Sequence, residues 1–241
     1  VFTDDPTDPR IIDTKKIVNC IEIYKENVLL GCKDGTIGVF NIQNQNPQYK
    51  EIHKNSVNCI AIQNNGVATS GDDKGYICRW MIDPFIDLKN AFDLINKNYE
   101  RKALFSLIHY TGNDNAQYLI AAGSGDLYLI KDISERPKIF RVLFLTHKKK
   151  ISSLIILNGR YLLSGSNDSL IKMWDLDKIF TPRPEQDDYE SKLIDVANIL
   201  LKSANEDYLI FASTYQSEHA VKIWKYDEGK YKFYKHLKVF L

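Results

Sequence analysis

A chain of 241 residues that is 44% hydrophobic and 26% charged has the composition of a globular protein with material for a substantial core. Its formal net charge of +1 gives no global attraction to nucleic acid or anionic lipid. No apolar run approaches the roughly 18 residues that span a bilayer, and the acidic, proline-containing opening VFTDDPTDPR resembles neither a signal nor a transit peptide.

The chain opens without Met and is read as a segment of a longer one. Residues 1–12 precede the first full repeat, with Arg10, Ile11 and Ile12 as their apolar patch. From there the sequence repeats itself. GTIGVF (35–40), GYICRW (75–80), GDLYLI (125–130), SLIKMW (169–174) and HAVKIW (219–224) each open on a small residue or His and close on a large apolar one. The closing residues, Phe40, Trp80, Ile130, Trp174 and Trp224, lie 40, 50, 44 and 50 residues apart, the period of one repeated supersecondary unit.

In repeat one, VNCIEI (18–23) predicts a strand, and VNCIAI (57–62) predicts its counterpart in repeat two, followed by a turn at Asn64-Asn65-Gly66, a strand over 67–70, a turn over 72–75 and a strand over 76–80. The connector 83–102 carries Phe85, Leu88, Phe92, Ile95 and Tyr99. That spacing suits an amphipathic helix, or an irregular outer strand plus loop, covering the unit's edge or docking a partner. Repeat three turns at Gly123-Ser124-Gly125. Repeat four is the clearest: strands over 151–157, 161–164 and 170–174, with an Asn158-Gly159 hairpin turn and a polar turn over 166–169. The Pro-containing, acidic stretch 181–190 predicts a loop. Repeat five has a longer turn over 214–219 with Glu218 at its acid position, and the tail 225–238 interleaves lysines with aromatics as a charged outer strand. Short apolar strands with turn signals every eight to twelve residues predict sheets buried on both faces. Tandem sheets stacked around an axis, a propeller, satisfy that requirement.

Cys20, Cys32, Cys59 and Cys78 form no CxxC pair. Cys20 and Cys59 alternate with apolar neighbours as small buried hydrophobes, and the four predict reduced thiols in a reducing compartment; disulfide or zinc pairing is the disfavoured alternative.

The residue spacing carries a family resemblance. His53 lies 27 positions before Trp80 and His147 lies 27 before Trp174; Ser70 and Ser164 lie ten before their Trp; Asp34 and Asp168 lie six before Phe40 and Trp174. SGSNDSLIKMWDLD (164–177) resembles the end of a WD-repeat blade, and the chain is similar to the WD-repeat β-propellers over nearly its whole length. The resemblance implies an all-β propeller of five four-stranded blades, over about 13–52, 53–100, 101–145, 146–190 and 191–236. A sixth would begin at 237–241 after His236, and the whole would form one domain, 1–241, within a ring of about seven blades. A closed five-bladed ring and an open propeller completed by a partner's strand are the alternatives. It also implies a structural network in which His147 bonds Asp168 and Ser164, and Ser164 bonds the Trp174 indole. Repeat two offers His53, Ser70 and Trp80, but the position six before Trp80 is Lys74, and Asp73 is shifted by one. Repeat one has Asp13 for the His and Leu30 for the Ser, and repeat three lacks His and Trp. A full network is therefore expected in repeat four alone.

No nucleophile–base, P-loop or metal-ligand motif is present, so neither catalysis nor a cofactor is expected. Asp72-Asp73 and Asp187-Asp188 are turn neighbours rather than opposed carboxylates. The expected function is a non-catalytic scaffold for protein–protein interaction in a cytoplasmic or nuclear assembly. By resemblance the upper face meets a peptide or acidic segment, with Lys54, Arg79, Lys148, Lys149 and Lys150 as contributors; Arg79 is included because alternation with Trp80 turns it away from the shared packing. RNA or phosphate binding through the same lysines is the alternative.

Overall fold

Strands of two to nine residues alternate with tight turns along nearly all of the described chain. A computed structural model describes residues 12–43, 46–87, 92–93, 102–112, 115–131, 138–143, 146–180, 192–195, 199–202, 208–213, 220–227 and 230–238. The described strands form five antiparallel sheets, each laid down in chain order. Sheet I comprises Val18–Tyr24, Asn27–Cys32, Thr36–Asn41 and Gln48–Glu51. Sheet II comprises Val57–Ile62, Val67–Asp72 and Tyr76–Met81, with the two-residue strands Ile86–Asp87 and Phe92–Asp93 both paired to the third. Sheet III holds Ser106–Thr111, Gln117–Ala122, Leu127–Lys131 and Lys138–Leu143; sheet IV holds Ile151–Leu157, Tyr161–Ser166, Ile171–Asp175 and Lys192–Asp195. Sheet V holds Ile199–Lys202, Tyr208–Ser213, Ala220–Asp227 and Lys230–Lys238.

The chain divides into two compact units, Val1–Leu107 and Ile108–Leu241, and each builds its core between consecutive sheets. In the first unit, Leu29, Ile37 and Val39 of sheet I pack against Val57, Ile60, Ala68 and Trp80 of sheet II. Lys50 of sheet I reaches across to donate to the Phe85 carbonyl, and the Phe85 ring meets Trp80 edge-on at 5.5 Å. In the second unit, Ile120, Leu127 and Leu129 of sheet III pack against Ile151, Leu154, Leu162 and Trp174 of sheet IV. The far face of sheet IV, with Ile155, Leu163 and Ile171, packs against Leu209 and Trp224 of sheet V. Apolar residues on both faces of these short strands leave each sheet unsatisfied alone, and stacking removes that surface from water at about 25 cal/mol per Å².

The connector after Trp80 contributes strands rather than a helix where it is described; its Leu88, Ile95 and Tyr99 lie outside the described residues. So do residues 1–11, the loop 181–190, the repeat-five turn with Glu218, and residues 239–241. A short helix, Leu176–Phe180, follows Trp174 where no element was predicted, burying Leu176 and Ile179. Its Phe180 stacks on Tyr110 at 5.3 Å and packs at a tilt against Tyr118 at 4.2 Å, joining the helix after sheet IV to sheet III. The four cysteines are free, and burial pushes the Cys20 thiol up to about 12. Among the described residues no helix is long and apolar enough to cross a membrane.

Candidate functional site

The turn before the third strand positions the polar residues. In sheet I, Gly35 sits at φ +88°, and a Cβ there would lie 2.3 Å from the His53 carbonyl oxygen. In sheet III, Gly125 sits at φ +116°, and a Cβ would lie 2.4 Å from the His147 carbonyl oxygen. The Gly35 and Gly125 carbonyls accept from the His53 and His147 backbone N–H groups, each at 3.0 Å. Glycine tolerates the backbone conformation and also leaves room for the next repeat's histidine.

From that anchor each imidazole enters a buried relay. His147 Nε2 lies 2.7 Å from Ser164 Oγ, and its Nδ1 lies 3.0 and 3.1 Å from the two Asp168 oxygens. The Trp174 indole N–H donates to Ser164 Oγ at 2.9 Å. The partners fix the proton order: the Asp168 carboxylate accepts from Nδ1–H, and Nε2 accepts the Ser164 hydroxyl proton. Burial lowers the His147 pKa, opposed by the Asp168 charge, and the ring is held neutral. Burial alone would raise Asp168, but the Lys148 N–H, His147 and the Leu170 N–H together hold it below the ordinary carboxylate range.

Sheet II contains the same relay, which corrects the expectation of one network. His53 Nε2 lies 2.7 Å from Ser70 Oγ, the Trp80 indole donates to Ser70 at 3.1 Å, and His53 Nδ1 lies 3.3 Å from the carboxylate of Asp72. The acid is Asp72, eight before Trp80, and not Asp73. Asp72 ends the second strand, paired with Val57, whereas Asp168 lies in the following turn. Two different backbone positions thus bring a carboxylate to the same imidazole edge. Against the pull of burial, Asp72 is held low by His53, by the Tyr76 and Lys74 N–H groups, and by the Asn55 side chain. Cys78 Sγ also approaches His53 Nδ1, at 3.7 Å. Sequence reading missed Asp72, Asn55 and Cys78; the Asn55 and Cys78 positions carried no signal, whereas Asp72 was visible only as a turn acid.

Asp34 occupies the Asp168 position without a histidine to meet. It is half exposed, pairs with Lys16 and accepts from Thr36. These bonds bring its pKa down to about 2. Leu30 and Phe40, in place of Ser and Trp, are buried against each other in an apolar cluster.

The order Ser–His–Asp is that of a hydrolase triad. Here Ser70 and Ser164 are both 0% exposed, and each hydroxyl oxygen is already engaged by an indole N–H. The geometry serves packing: it satisfies buried polar groups and ties the second strand to the third. Among the described residues no cluster of His, Cys, Asp and Glu is placed to hold a metal ion.

Next to His147 and its relay, Lys148, Lys149 and Lys150 are all exposed. Their backbone is pinned by the turn beneath: the Lys148 N–H donates to Asp168 at 2.9 Å, the Lys149 carbonyl accepts from Ser166 Oγ at 3.2 Å, and the Lys150 carbonyl accepts from the Asn167 N–H at 2.9 Å. Lys54 is exposed beside His53 in the first unit. Arg79 is not presented: it is 7% exposed, because the face opposite Trp80 is packed as well, and alternation therefore does not lead to solvent.

Residues 139–175 match the model of the WD domain, G-beta repeat, a span that contains the whole His147 relay. No curated protein matches the chain in sequence. Solved structures match in number, 1269 chains, so the fold is widely shared and by itself singles out no partner. One, a chain in a crystal structure of the mitotic checkpoint complex, aligns with probability 1.00, a TM-score of 0.68 and 14% identity over 93% of this chain. The match spans 66% of that chain, just under two thirds of its length. The chain thus contains a WD-type repeat at residues 139–175 and, in its tandem four-stranded sheets, is similar in fold to the WD-repeat β-propellers.

Proposed function

We propose that the chain is a non-catalytic interaction platform in a cytoplasmic or nuclear multiprotein assembly, and that Lys148, Lys149 and Lys150 contact an acidic segment of a protein partner. The observation that carries this reading is the division of labour around Asp168. Its carboxylate and the adjoining turn hold the lysine backbone rigid, while the three side chains remain exposed. A pre-ordered cationic edge loses little conformational entropy on binding. The buried serines support a non-catalytic role, since a substrate carbonyl has no path to them. Four free thiols are consistent with a reducing compartment. The structure of the mitotic checkpoint complex shows a similar fold at work within a multiprotein assembly.

The test is affinity purification of the intact protein from its native source, beside a Lys148→Ala/Lys149→Ala/Lys150→Ala variant, with anisotropy titrations of a labelled oligoglutamate peptide and an oligoribonucleotide. The expected result is a protein partner lost from the variant, and peptide binding weakened at least tenfold by the substitutions. Oligoribonucleotide binding that falls steeply with salt and vanishes in the variant would replace this reading with phosphate recognition. Partners and peptide binding that are indifferent to the substitutions would overturn the lysine site.

A further inference from the structure

Two Asn-Gly pairs occupy the turn between the first and second strands of their sheets, Asn65-Gly66 in sheet II and Asn158-Gly159 in sheet IV. Asparagine is a labile residue, and a following glycine has no Cβ to shield the backbone nitrogen that can attack its side-chain amide. The two turns treat that nitrogen differently.

In sheet II it is occupied. Gly66 is buried, its N–H donates to the Gln63 carbonyl at 3.0 Å, and the Tyr24 hydroxyl lies 3.4 Å from where a Cβ would stand. The Asn65 side chain is held as well, its Oδ1 accepting from the Val67 N–H at 3.2 Å. In sheet IV, Asn158 and Gly159 are both exposed, at φ +49° and +61°, and nothing lies within 4 Å of a Cβ built at Gly159. The backbone bond that closes the turn runs from the Arg160 N–H to the Leu157 carbonyl, and among the described residues the Gly159 N–H has no acceptor.

We propose that Asn158 is a site of spontaneous deamidation, passing through a succinimide to aspartate or isoaspartate, whereas the turn around Asn65 protects it. The Gly159 nitrogen bonds to Asn158 Cγ, the Cγ–Nδ2 bond breaks, and ammonia leaves with the Gly159 amide proton. Water then opens the ring, at the side-chain carbonyl to give aspartate or at the main-chain carbonyl to give isoaspartate. Ring closure needs the exposed turn to open briefly, and a loop tip does so at low cost. Either product removes the formal net charge of +1. It also sets a carboxylate two positions from Arg160, which already pairs with Asp175 at 2.9 Å and Asp177 at 3.4 Å. Isoaspartate adds a main-chain carbon to the turn that places Leu157 opposite Tyr161.

The test follows both Asn-Gly peptides by mass spectrometry in the folded chain during prolonged incubation at neutral pH. Isoaspartate is labelled with a protein isoaspartate methyltransferase and radioactive S-adenosylmethionine. Amide loss at Asn158 should run at least tenfold faster than at Asn65, and unfolding in urea should abolish the difference. Gly159→Ala, with the fold followed by circular dichroism, should slow the loss at Asn158 more than tenfold and leave Asn65 unchanged. Equal rates at the two sites in the folded chain overturn the proposal. So does an Asn158 amide that persists in the folded chain, or a folded Gly159→Ala variant that loses it at the parental rate.

Discussion

At the scale of single residues, the relay runs one way from the Trp indole donor to the Asp carboxylate acceptor, and the serine hydroxyl and imidazole between them each accept from one neighbour and donate to the next, so its members do not contribute independently. Removing the hydroxyl in Ser164→Ala strands the Trp174 indole N–H and the His147 Nε2 together, at about 1–3 kcal/mol for each orphaned group. Trp174→Ala removes a nearly fully buried indole and should destabilise by about 3–5 kcal/mol. The more discriminating experiment is a double-mutant cycle. In a Trp174→Phe background the donor is already gone, so Ser164→Ala should cost about 1 kcal/mol less than in the parent, as read from urea midpoints. Additive losses would mean that the 2.9 Å indole contact contributes nothing. Sheet I shows the other solution: Leu30 and Phe40 replace both partners, and an apolar pair leaves no orphan.

At the scale of elements, the turns decide which repeat meets which. Gly125 and Gly159 both have positive φ, but they do different work. Nothing lies within 4 Å of a Cβ built at Gly159, in the hairpin turn closed by the Arg160 N–H to the Leu157 carbonyl at 3.0 Å. Gly159→Ala should therefore cost only the left-handed penalty of about 1–2 kcal/mol. Gly125→Ala meets the His147 backbone as well and should cost about 3 kcal/mol or more, with loss of hydrogen-exchange protection at the His147 amide. Equal costs at the two glycines would show that the Gly125–His147 contact is not a constraint. Strands and turns were legible because their signals are local: apolar runs, and Asn or Gly where φ must be positive. The His147 relay was legible because all its members keep fixed spacing to Trp174. In the second relay His53, Ser70 and Trp80 were legible in the same way but Asp72 was not, because spacing counts positions along one strand path while the imidazole N–H can donate to a carboxylate from either of two. Arg79 misled because period-two alternation separates two faces and does not say that one of them is wet. The helix Leu176–Phe180 is a single turn and too short for any periodicity to announce it.

At the scale of the whole molecule, the two relays make folding depend on acid in two stages. A histidine in the unfolded chain titrates near 6.5, whereas His147 is held neutral to lower pH by burial. Between those values the unfolded state binds more protons, so stability is complete above about pH 6.5 and declines as pH falls below it. Asp72 and Asp168 are shifted in the sense expected of paired carboxylates, below the ordinary value of 3.8. Their contribution is present above that value and is lost as pH falls through the lower folded-state pKa. Asp34 and Asp175 are also lowered, but they lie near the surface, where solvent and salt weaken their share. Urea midpoints should therefore be level from pH 8 to 7, decline between pH 6.5 and 5, and drop again below about pH 4. In parallel, the ring nitrogens of His147 should keep a neutral NMR signature, protonated at Nδ1, below pH 6. A flat midpoint from pH 8 to 5, or a His147 ring already cationic at pH 7, would contradict the proton order drawn from Trp174 to Asp168. The Asp168 carboxylate would then face an imidazolium, Nε2 would have to donate to Ser164, and the serine hydroxyl proton would need another acceptor.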